Sequence, residues 1–362
     1  MYAAYGVASP FLPAFVHSRG IEPQELGLVL GTAIAVRLVS APLAGRIGDL
    51  LGALRTVLGI CIALGAFTTL GYLRAEGFAA FLAIALAQAA ALAPMSVLAD
   101  ALTLAASKRQ GFEYGWVRGT GSAAFIVGTL ISGQLIAGHG LGVIVGLQAG
   151  LLAAAALAAM RVPDIQHRRA QRAPGGVATL LRTPAFRTLV LTAALILGSH
   201  AMHDSFAVIR WSAAGVTPAA ASLLWSQAVL AEVVVFFIIG PALVTRLTPA
   251  GAMALAAVAG VVRWIAMATS ADVMVLAAVQ PLHGLTFALL HLACMRLIAR
   301  LVPAGLEGTA QAIYATGIGA ASALMMYASG AFYGRLGAAA FWPMAALCLL
   351  ALPLTIRLRR TP

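Results

Sequence analysis

The segment formed by residues 25–73 reads ELGLVLGTAIAVRLVSAPLAGRIGDLLGALRTVLGICIALGAFTTLGYL. It contains two apolar segments, 25–46 and 54–73, each about 20 residues long, which is the length a helix needs to cross the hydrocarbon core of a bilayer. Both segments are continuously apolar and lack the period-two alternation of lipid-facing β-strands, so helices are favoured over a barrel. The stretch therefore predicts two membrane-spanning helices joined by a short, glycine-rich loop.

The same pattern repeats along all 362 residues. Hydrophobic residues make up 62% of the chain and charged residues 9%, and the mean hydropathy is +0.97, which together exclude a soluble domain of this length. We predict an all-α membrane protein with twelve transmembrane helices. The predicted spans are 1–17, 25–46, 54–73, 77–106, 115–137, 141–160, 186–209, 218–245, 250–270, 273–301, 305–333 and 337–357.

The spans are expected to form two six-helix halves. Connections are short except at 161–185, where charged residues and a Pro-Gly-Gly sequence interrupt the apolar pattern. We therefore predict an N-terminal half at 1–160, a cytoplasmic linker at 161–185 and a C-terminal half at 186–362. The first span is short and contains Pro10 and Pro13, which fits either a helix truncated by a start codon chosen too late or a short, bent helix.

The charge distribution predicts the topology. The formal net charge is +12, but the basic residues fall in short loops rather than on one soluble face, which argues against a nucleic-acid partner. If the N-terminus is cytoplasmic, the outer loops contain few basic residues: Arg19, Arg74, Arg210 and Arg335. This asymmetry follows the positive-inside rule and predicts that both termini are cytoplasmic.

Several charged residues fall inside the predicted spans, where an unpaired charge costs about 2.5 to 3.5 kcal/mol on insertion scales. Glu232 and Arg263 lie about 13 and 12 residues from the loop at 245–251, beyond the midplane, and are expected to face each other or a wet cavity. His283 lies at a depth similar to that of Arg263 and either contacts Glu232 or substrate, or is a structural histidine. Arg37 has no acid on its own helix and needs a partner elsewhere or an anionic ligand.

Asp100 and Arg118 are a second candidate pair. Each lies within about two helical turns of the loop at 107–114, so the spacing predicts an ion pair near the cytoplasmic end, with two snorkelling helix-end charges as the alternative. The charges inside spans leave one positive charge in excess, which favours an anionic substrate unless Arg296 snorkels out. They are Arg37, Arg118, Arg263 and Arg296 against Asp100, Asp204 and Glu232.

On the seventh span, His200, His203 and Asp204 share one helix face near the outer end. This spacing is compatible with an outer-gate network, with a proton relay or with plain interfacial hydrogen bonding. Metal binding is less favoured, because no acid or histidine elsewhere in the sequence shows a recognised ligand spacing. Three cysteines lie in apolar segments without paired spacing, so neither a disulfide framework nor a zinc site is expected: Cys61, Cys294 and Cys348. No cofactor is predicted.

The loop after the second span, residues 45–55 (GRIGDLLGALR), resembles the G-x-x-A/G-D-R/K-x-G-R/K-R/K signature of the major facilitator superfamily. Leu50 replaces the usual basic residue, and Arg55 lies one place late. In that family the loop acts as a conformational latch, so the resemblance implies a gating role for the matching positions. These are Gly45, Gly48, Asp49 and Gly52.

Within the superfamily the chain resembles the branch that contains lactose, nucleoside and 3-phenylpropionate permeases. The stretches that carry this resemblance are 114–122 (YGWVRGTGS), 262–264 (VRW) and 283–296 (HGLTFALLHLACMR). Asp100 lies 18 residues before Arg118, as in the lactose permease. His283 lies 20 residues after Arg263, again as in that permease, but Thr286 stands where it has the proton-exchanging Glu.

The resemblance implies a monomeric secondary transporter of the bacterial inner membrane that works by alternating access and is not an enzyme. The expected activity is proton symport of an aromatic carboxylate such as 3-phenylpropionate; sugar or nucleoside symport and proton-coupled drug efflux are the alternatives. From the resemblance and the positions of the charges together, the expected substrate-binding residues are Arg37, Arg118, Arg263 and His283. The expected proton-coupling residues are Glu232, Asp100 and His283. The expected gating residues are Asp49, Gly45, Gly48, Gly52, His200, His203 and Asp204.

Overall fold

A computed structural model describes residues 1–162, 176–303 and 305–359. It is 88% helical, and the described residues contain no strand, so the all-α prediction is confirmed. Residues 163–175 are outside the described ranges, and most of the predicted linker at 161–185 falls there.

The helices follow the predicted apolar segments closely. The residues up to 162 form α1 (Tyr2–Ala8), α2 (Leu12–Ser18), α3 (Pro23–Leu51), α4 (Leu54–Gly71), α5 (Gly77–Leu92), α6 (Pro94–Gln110), α7 (Tyr114–His139) and α8 (Val143–Ala159). The later residues form α9 (Gly176–Arg182), α10 (Pro184–Gly198), α11 (Ala201–Ala213), α12 (Pro218–Val234), α13 (Gly240–Thr269), α14 (Val273–Val279), α15 (Leu290–Leu301), α16 (Glu307–Leu336) and α17 (Phe341–Arg359). Two π-helical segments, Val235–Ile239 and Gly284–Leu289, and a 3-10 turn, Gly337–Ala340, link some of them.

Eight helical stretches among the described residues are long and apolar enough to cross a membrane. Two of them, Pro218–Thr269 and Glu307–Arg359, have 52 and 53 residues. At about 1.5 Å per residue each is more than twice as long as the hydrocarbon core of about 30 Å, so each has the length of two spans. Within Pro218–Thr269, Thr248 has a φ of 63° and interrupts the helix. The number of twelve spans stays a prediction.

The chain divides into two compact units. The first consists of Met1–Ala170 and Thr217–Leu223, and the second of Gln171–Val216 and Leu224–Pro362. In the first unit, α4, α6 and α8 enclose a core that includes Leu58, Met95 and Leu152. In the second, α10, α13, α15 and α17 enclose a larger core. The predicted boundaries of the two halves stay a prediction, and the start of α12 belongs to the first unit.

The signature loop is shorter than the sequence suggested. We expected a loop from residue 47 to residue 53, but α3 continues to Leu51. It ends at Gly52, whose φ of 60° is the left-handed conformation that glycine adopts at helix C-termini. Gly45, Gly48 and Asp49 therefore lie on a helix, and exposed Asp49 makes no hydrogen bond or ion pair with any described residue.

Candidate functional site

Arg263 is the centre of a buried polar cluster in the second unit. It lies in α13 and is fully buried. Its Nη1 donates to Nδ1 of His283 at 2.9 Å, and its Nη2 donates to Oε1 of Gln280 at 3.0 Å. The guanidinium also lies over the ring of Trp264, 4.6 Å from its centroid. These partners compensate the desolvation of a charge that burial alone would strongly disfavour.

His283 connects Arg263 to Glu232. Its Nε2 lies 2.6 Å from Oε1 of Glu232, and the two side chains are 14% and 21% exposed. The sequence placed Glu232 and Arg263 at one depth, facing each other or a cavity. The structure brings them into one cluster, but through the imidazole of His283 rather than by direct contact.

His203 and Asp204 belong to the same cluster. Nδ1 of His203 lies 3.0 Å from Oδ1 of Asp204, and its Nε2 lies 3.4 Å from Nε2 of Gln280. The ring of His200 lies 5.0 Å from that of His283. The sequence predicts a separate group of span-seven residues nearer the outer end, whereas in the structure the rings of His200 and His203 lie beside that of His283. Their assignment to a gate stays a prediction.

The cluster forms where helices depart from regular α geometry. Ser199 and His200 lie between α10 and α11, and residues 280–283 lie between α14 and a π-helical segment. Glu232 lies three residues before the other π-helical segment. Such departures are frequent at functional sites because they turn side chains and backbone groups away from their regular positions.

Tryptophan rings surround the polar groups. Trp225 stacks on His203 with ring centroids 4.6 Å apart, and Trp211 contacts the same imidazole edge-on at 5.9 Å. Trp264 donates from Nε1 to Oγ of Ser199 at 2.8 Å. All three tryptophan rings are buried beside the charged cluster.

Several buried polar atoms around the cluster have no hydrogen-bond partner among the described residues. They are Nε of Arg263, Nε1 of Trp211, Nε2 of His200 and Oγ of Ser226. The first two are donors only, so a ligand that carries acceptor oxygens would satisfy them. An unsatisfied buried donor costs about 1–3 kcal/mol, which favours binding of such a ligand.

Sequence reasoning missed Gln280 and Ser199. Gln280 is fully buried and touches both Arg263 and His203, yet it is uncharged and lies in an ordinary apolar run. Its spacing of three residues from His283 was the one signal, because such spacing on a helix joins side chains on one face.

The first unit contains the second predicted pair. Nη1 of Arg118 lies 3.4 Å from Oδ1 of Asp100, so the ion pair is present, with side chains that are 43% and 34% exposed. The Arg118 guanidinium also donates to the hydroxyl of Tyr2. A cavity of about 510 Å³, lined by residues that include Asp100 and Lys108, adjoins the pair. Arg37 is exposed and makes no hydrogen bond or ion pair with the described residues.

No group of three or more His, Cys, Asp or Glu side chains in the described ranges is arranged to hold a metal ion. Cys61 is half-buried, and Cys294 and Cys348 are buried; all three are free thiols.

A lipid-length helical bundle with a buried charged cluster is the architecture of a multi-pass membrane transporter. The chain belongs to the MFS_1 like family, whose family model matches residues 1–344. It is therefore a transporter of the major facilitator type, as the resemblance implied.

Named relatives and solved structures agree with this class. A probable 3-phenylpropionic acid transporter of Escherichia coli (strain K12) is 32% identical over 367 residues, which cover 97% of this chain and 93% of that protein. A maltose permease of Geobacillus stearothermophilus is 25% identical over 330 residues, with 88% and 82% covered. The crystal structure of a mutant of the nucleoside transporter NupG superposes with a TM-score of 0.89 at 16% identity, covering 99% of this chain and 96% of that one.

Proposed function

We propose that this protein is a proton symporter of an aromatic carboxylate such as 3-phenylpropionate, working by alternating access in the bacterial inner membrane as a monomer. The observation that carries the proposal is the hydrogen-bonded series Arg263, His283 and Glu232. An arginine fork binds a carboxylate strongly through charge-assisted hydrogen bonds, and tryptophan rings nearby suit an aromatic body. The 32% identity to a probable 3-phenylpropionic acid transporter supports the same substrate class.

Charge balance supports proton coupling. With Arg263 charged and the imidazoles neutral, the two carboxylates of Glu232 and Asp204 leave the cluster one negative charge in excess. One proton on the pair formed by Glu232 and His283 removes that excess. The Glu232 side chain is 21% exposed and that of Asp204 is 45% exposed, so desolvation favours protonation of Glu232 over Asp204. Glu232 and His283 are therefore the proposed proton-exchange groups. Thr286 stands where the lactose permease has its proton-exchanging Glu, but its side chain has no acidic group. In this proposal the pair formed by Glu232 and His283 therefore exchanges the proton instead.

The first unit supplies the remaining proposed roles. Arg37 is exposed and makes no hydrogen bond or ion pair with the described residues, which leaves the donors of its guanidinium available to an anion. The pair of Asp100 and Arg118 responds to substrate and takes part in gating. The proposed latch consists of the end of α3 with Gly45, Gly48, Asp49 and Gly52. Both termini are cytoplasmic in this proposal, as the charge asymmetry predicts.

Sugar symport is the second candidate, favoured by the 25% identity to a maltose permease. A neutral sugar would use Arg263 and Gln280 as hydrogen-bond partners rather than as a counter-charge. Substrate charge therefore separates the two candidates.

The test is uptake of labelled 3-phenylpropionate into proteoliposomes with and without an inward proton gradient, for wild type and Glu232→Gln. We expect gradient-driven accumulation in wild type and a loss of about tenfold or more in the variant, because the amide of glutamine still accepts a hydrogen bond from His283 but cannot take up and release a proton. Exchange of labelled for unlabelled acid without a gradient should survive, since exchange needs no net proton transfer.

The matched control is Glu76→Gln, which removes an exposed carboxylate before α5 and should transport like wild type. Maltose and a nucleoside are the control substrates. Folded wild-type protein that accumulates maltose or the nucleoside but not the acid would contradict the aromatic-carboxylate assignment. Equal accumulation by Glu232→Gln and wild type would contradict the coupling role of Glu232.

A further inference from the structure

Gln280 joins the two sides of the buried cluster. It is the first residue after α14 and is fully buried. Its Oε1 accepts from Nη2 of Arg263 at 3.0 Å. Its Nε2 donates to the backbone carbonyl of Leu224 at 3.3 Å and lies 3.4 Å from Nε2 of His203. A single neutral side chain therefore contacts the arginine, a histidine and the backbone of α12.

Two contacts independently determine the orientation of the Gln280 amide. Arginine has only donors, so the group facing Arg263 must be the amide oxygen. A backbone carbonyl only accepts, so the group facing Leu224 must be the amide nitrogen. Because that nitrogen also points at His203, the facing imidazole nitrogen, Nε2, is an acceptor without a proton. The proton of neutral His203 is then on Nδ1, which donates to Asp204.

The same reasoning determines the other side. Nη1 of Arg263 donates to Nδ1 of His283, so the proton of neutral His283 is on Nε2, which donates to Glu232. The hydrogen bonds thus run outward from Arg263 to a carboxylate at each end. Gln280 is the link in this chain that has no ionisable group, so its contribution is orientation rather than proton exchange.

We propose that Gln280 is a positioning residue, which holds the guanidinium of Arg263 against His283 and links it to the pair formed by His203 and Asp204. Without the amide oxygen, Nη2 of buried Arg263 has no acceptor, and the guanidinium shifts away from its place above Trp264. As a determinant of substrate affinity, this inference rests on the proposed function. The position of the guanidinium can be tested without any substrate.

The variant is Gln280→Met, which keeps length and volume but removes the amide. The matched control is Gln227→Met, because Nε2 of Gln227 in α12 donates to the carbonyl of Ala277 at 3.0 Å and Gln227 makes no hydrogen bond to a charged group of the described residues. The first readout is tryptophan emission of substrate-free protein, taken as the difference from the same protein carrying Trp264→Phe. We expect a shift in Gln280→Met and none in Gln227→Met.

The second readout is 3-phenylpropionate transport. We expect KM to rise about tenfold or more in Gln280→Met, as for loss of a hydrogen bond to a charged group, with the maximal rate changed far less. Gln280→Glu is the second variant: one carboxylate oxygen still accepts from Arg263, while the other loses the hydrogen bond to the Leu224 carbonyl, so the shift in Trp264 emission should be clearly smaller than in Gln280→Met. Its KM should nevertheless rise, because the fixed carboxylate competes with the substrate anion.

Unchanged emission in folded Gln280→Met, or the same shift in Gln280→Glu, would overturn the positioning role. A KM that rises no more in Gln280→Met than in Gln227→Met would overturn it as well. If wild type transports no aromatic carboxylate, the proposed function fails, but the emission of the three variants still decides the role of Gln280.

Discussion

Arg263 is the residue on which the cluster depends, because its planar fork serves two acceptors in different directions at once. Nη1 binds His283 and Nη2 binds Gln280. Lysine has the same charge but a single nitrogen on a flexible stem, so it cannot keep both bonds in this geometry. We expect Arg263→Lys to fold but to raise the KM for an aromatic carboxylate about tenfold or more. Arg246→Lys, at an exposed position, is the control and should be neutral.

Uptake at several substrate concentrations measures this effect. A KM within about threefold of wild type in Arg263→Lys would mean that charge alone, without the two directed hydrogen bonds of the fork, is sufficient for binding.

Charged residues of the site were predictable, and neutral ones were not. Glu232 and Arg263 were identified because lipid penalises a charge inside an apolar segment, which makes its presence informative. Gln280 carries no such penalty, and its spacing of three residues from His283 is the one feature of the sequence that connects it to the site. Asp204 was also identified, but the sequence predicted it to lie apart from Glu232 and Arg263, because the depth of a residue in the membrane was counted along a continuous helix. The interruption at residues 199–200 and the turn at 280–283 bring these groups together.

Among the elements, the two π-helical segments, which follow the residues of the proton-exchange pair by one and three positions, contact each other. Gly284 begins one segment and follows His283, and a Cβ at Gly284 would collide with the carbonyl of Ala231, next to Glu232. We expect Gly284→Ala to push the two segments apart, to lower thermal stability and to reduce gradient-driven uptake, because backbone contacts leave no side chain to yield. Thermal unfolding and uptake measure the two effects.

The control is Gly308→Ala in α16, where an added Cβ meets no atom within 4 Å. This substitution should be neutral or stabilise the helix by up to about 1 kcal/mol, the difference in helix propensity between the two residues. If both alanine variants behaved alike, the close approach at Gly284 would have no role in transport.

Helix positions could largely be predicted, since membrane length and apolar composition determine them, but helix ends could not. The sequence predicts a loop at residues 47–51, because these positions contain the charged and small residues of the signature. In the structure these residues continue α3, and the chain turns only at Gly52. Asp49 is compatible with a solvent-facing helix end, so composition alone does not distinguish a final turn from a loop. The conformational freedom of one glycine decides the boundary.

For the whole molecule, the number of spans depends on turns that leave almost no gap in the helical pattern. At Thr248 the helix is interrupted by one residue, and between α16 and α17 only the 3-10 turn Gly337–Ala340 intervenes. The sequence predicts two spans in each of these segments because the apolar segment is longer than one bilayer is thick. The side of the membrane on which each loop lies therefore tests the predicted number of spans better than helix boundaries do, since each extra span moves the next loop to the opposite side.

The charge asymmetry predicts the side of each loop. A variant without native thiols is first made with Cys61→Ala, Cys294→Ala and Cys348→Ala. A single cysteine is then introduced as Arg74→Cys in a predicted outer loop or as Lys108→Cys in a predicted cytoplasmic one; both positions are exposed.

In cells whose outer membrane has been permeabilised, a membrane-impermeant maleimide should label position 74 directly, and position 108 only after the inner membrane is disrupted. The basic residues on the cytoplasmic side resist translocation, which is the physical reason for this orientation. Labelling in the reverse order would place the termini outside. Labelling of both positions while the inner membrane is intact would show that an even number of spans separates residues 74 and 108, which would contradict the single span predicted at 77–106.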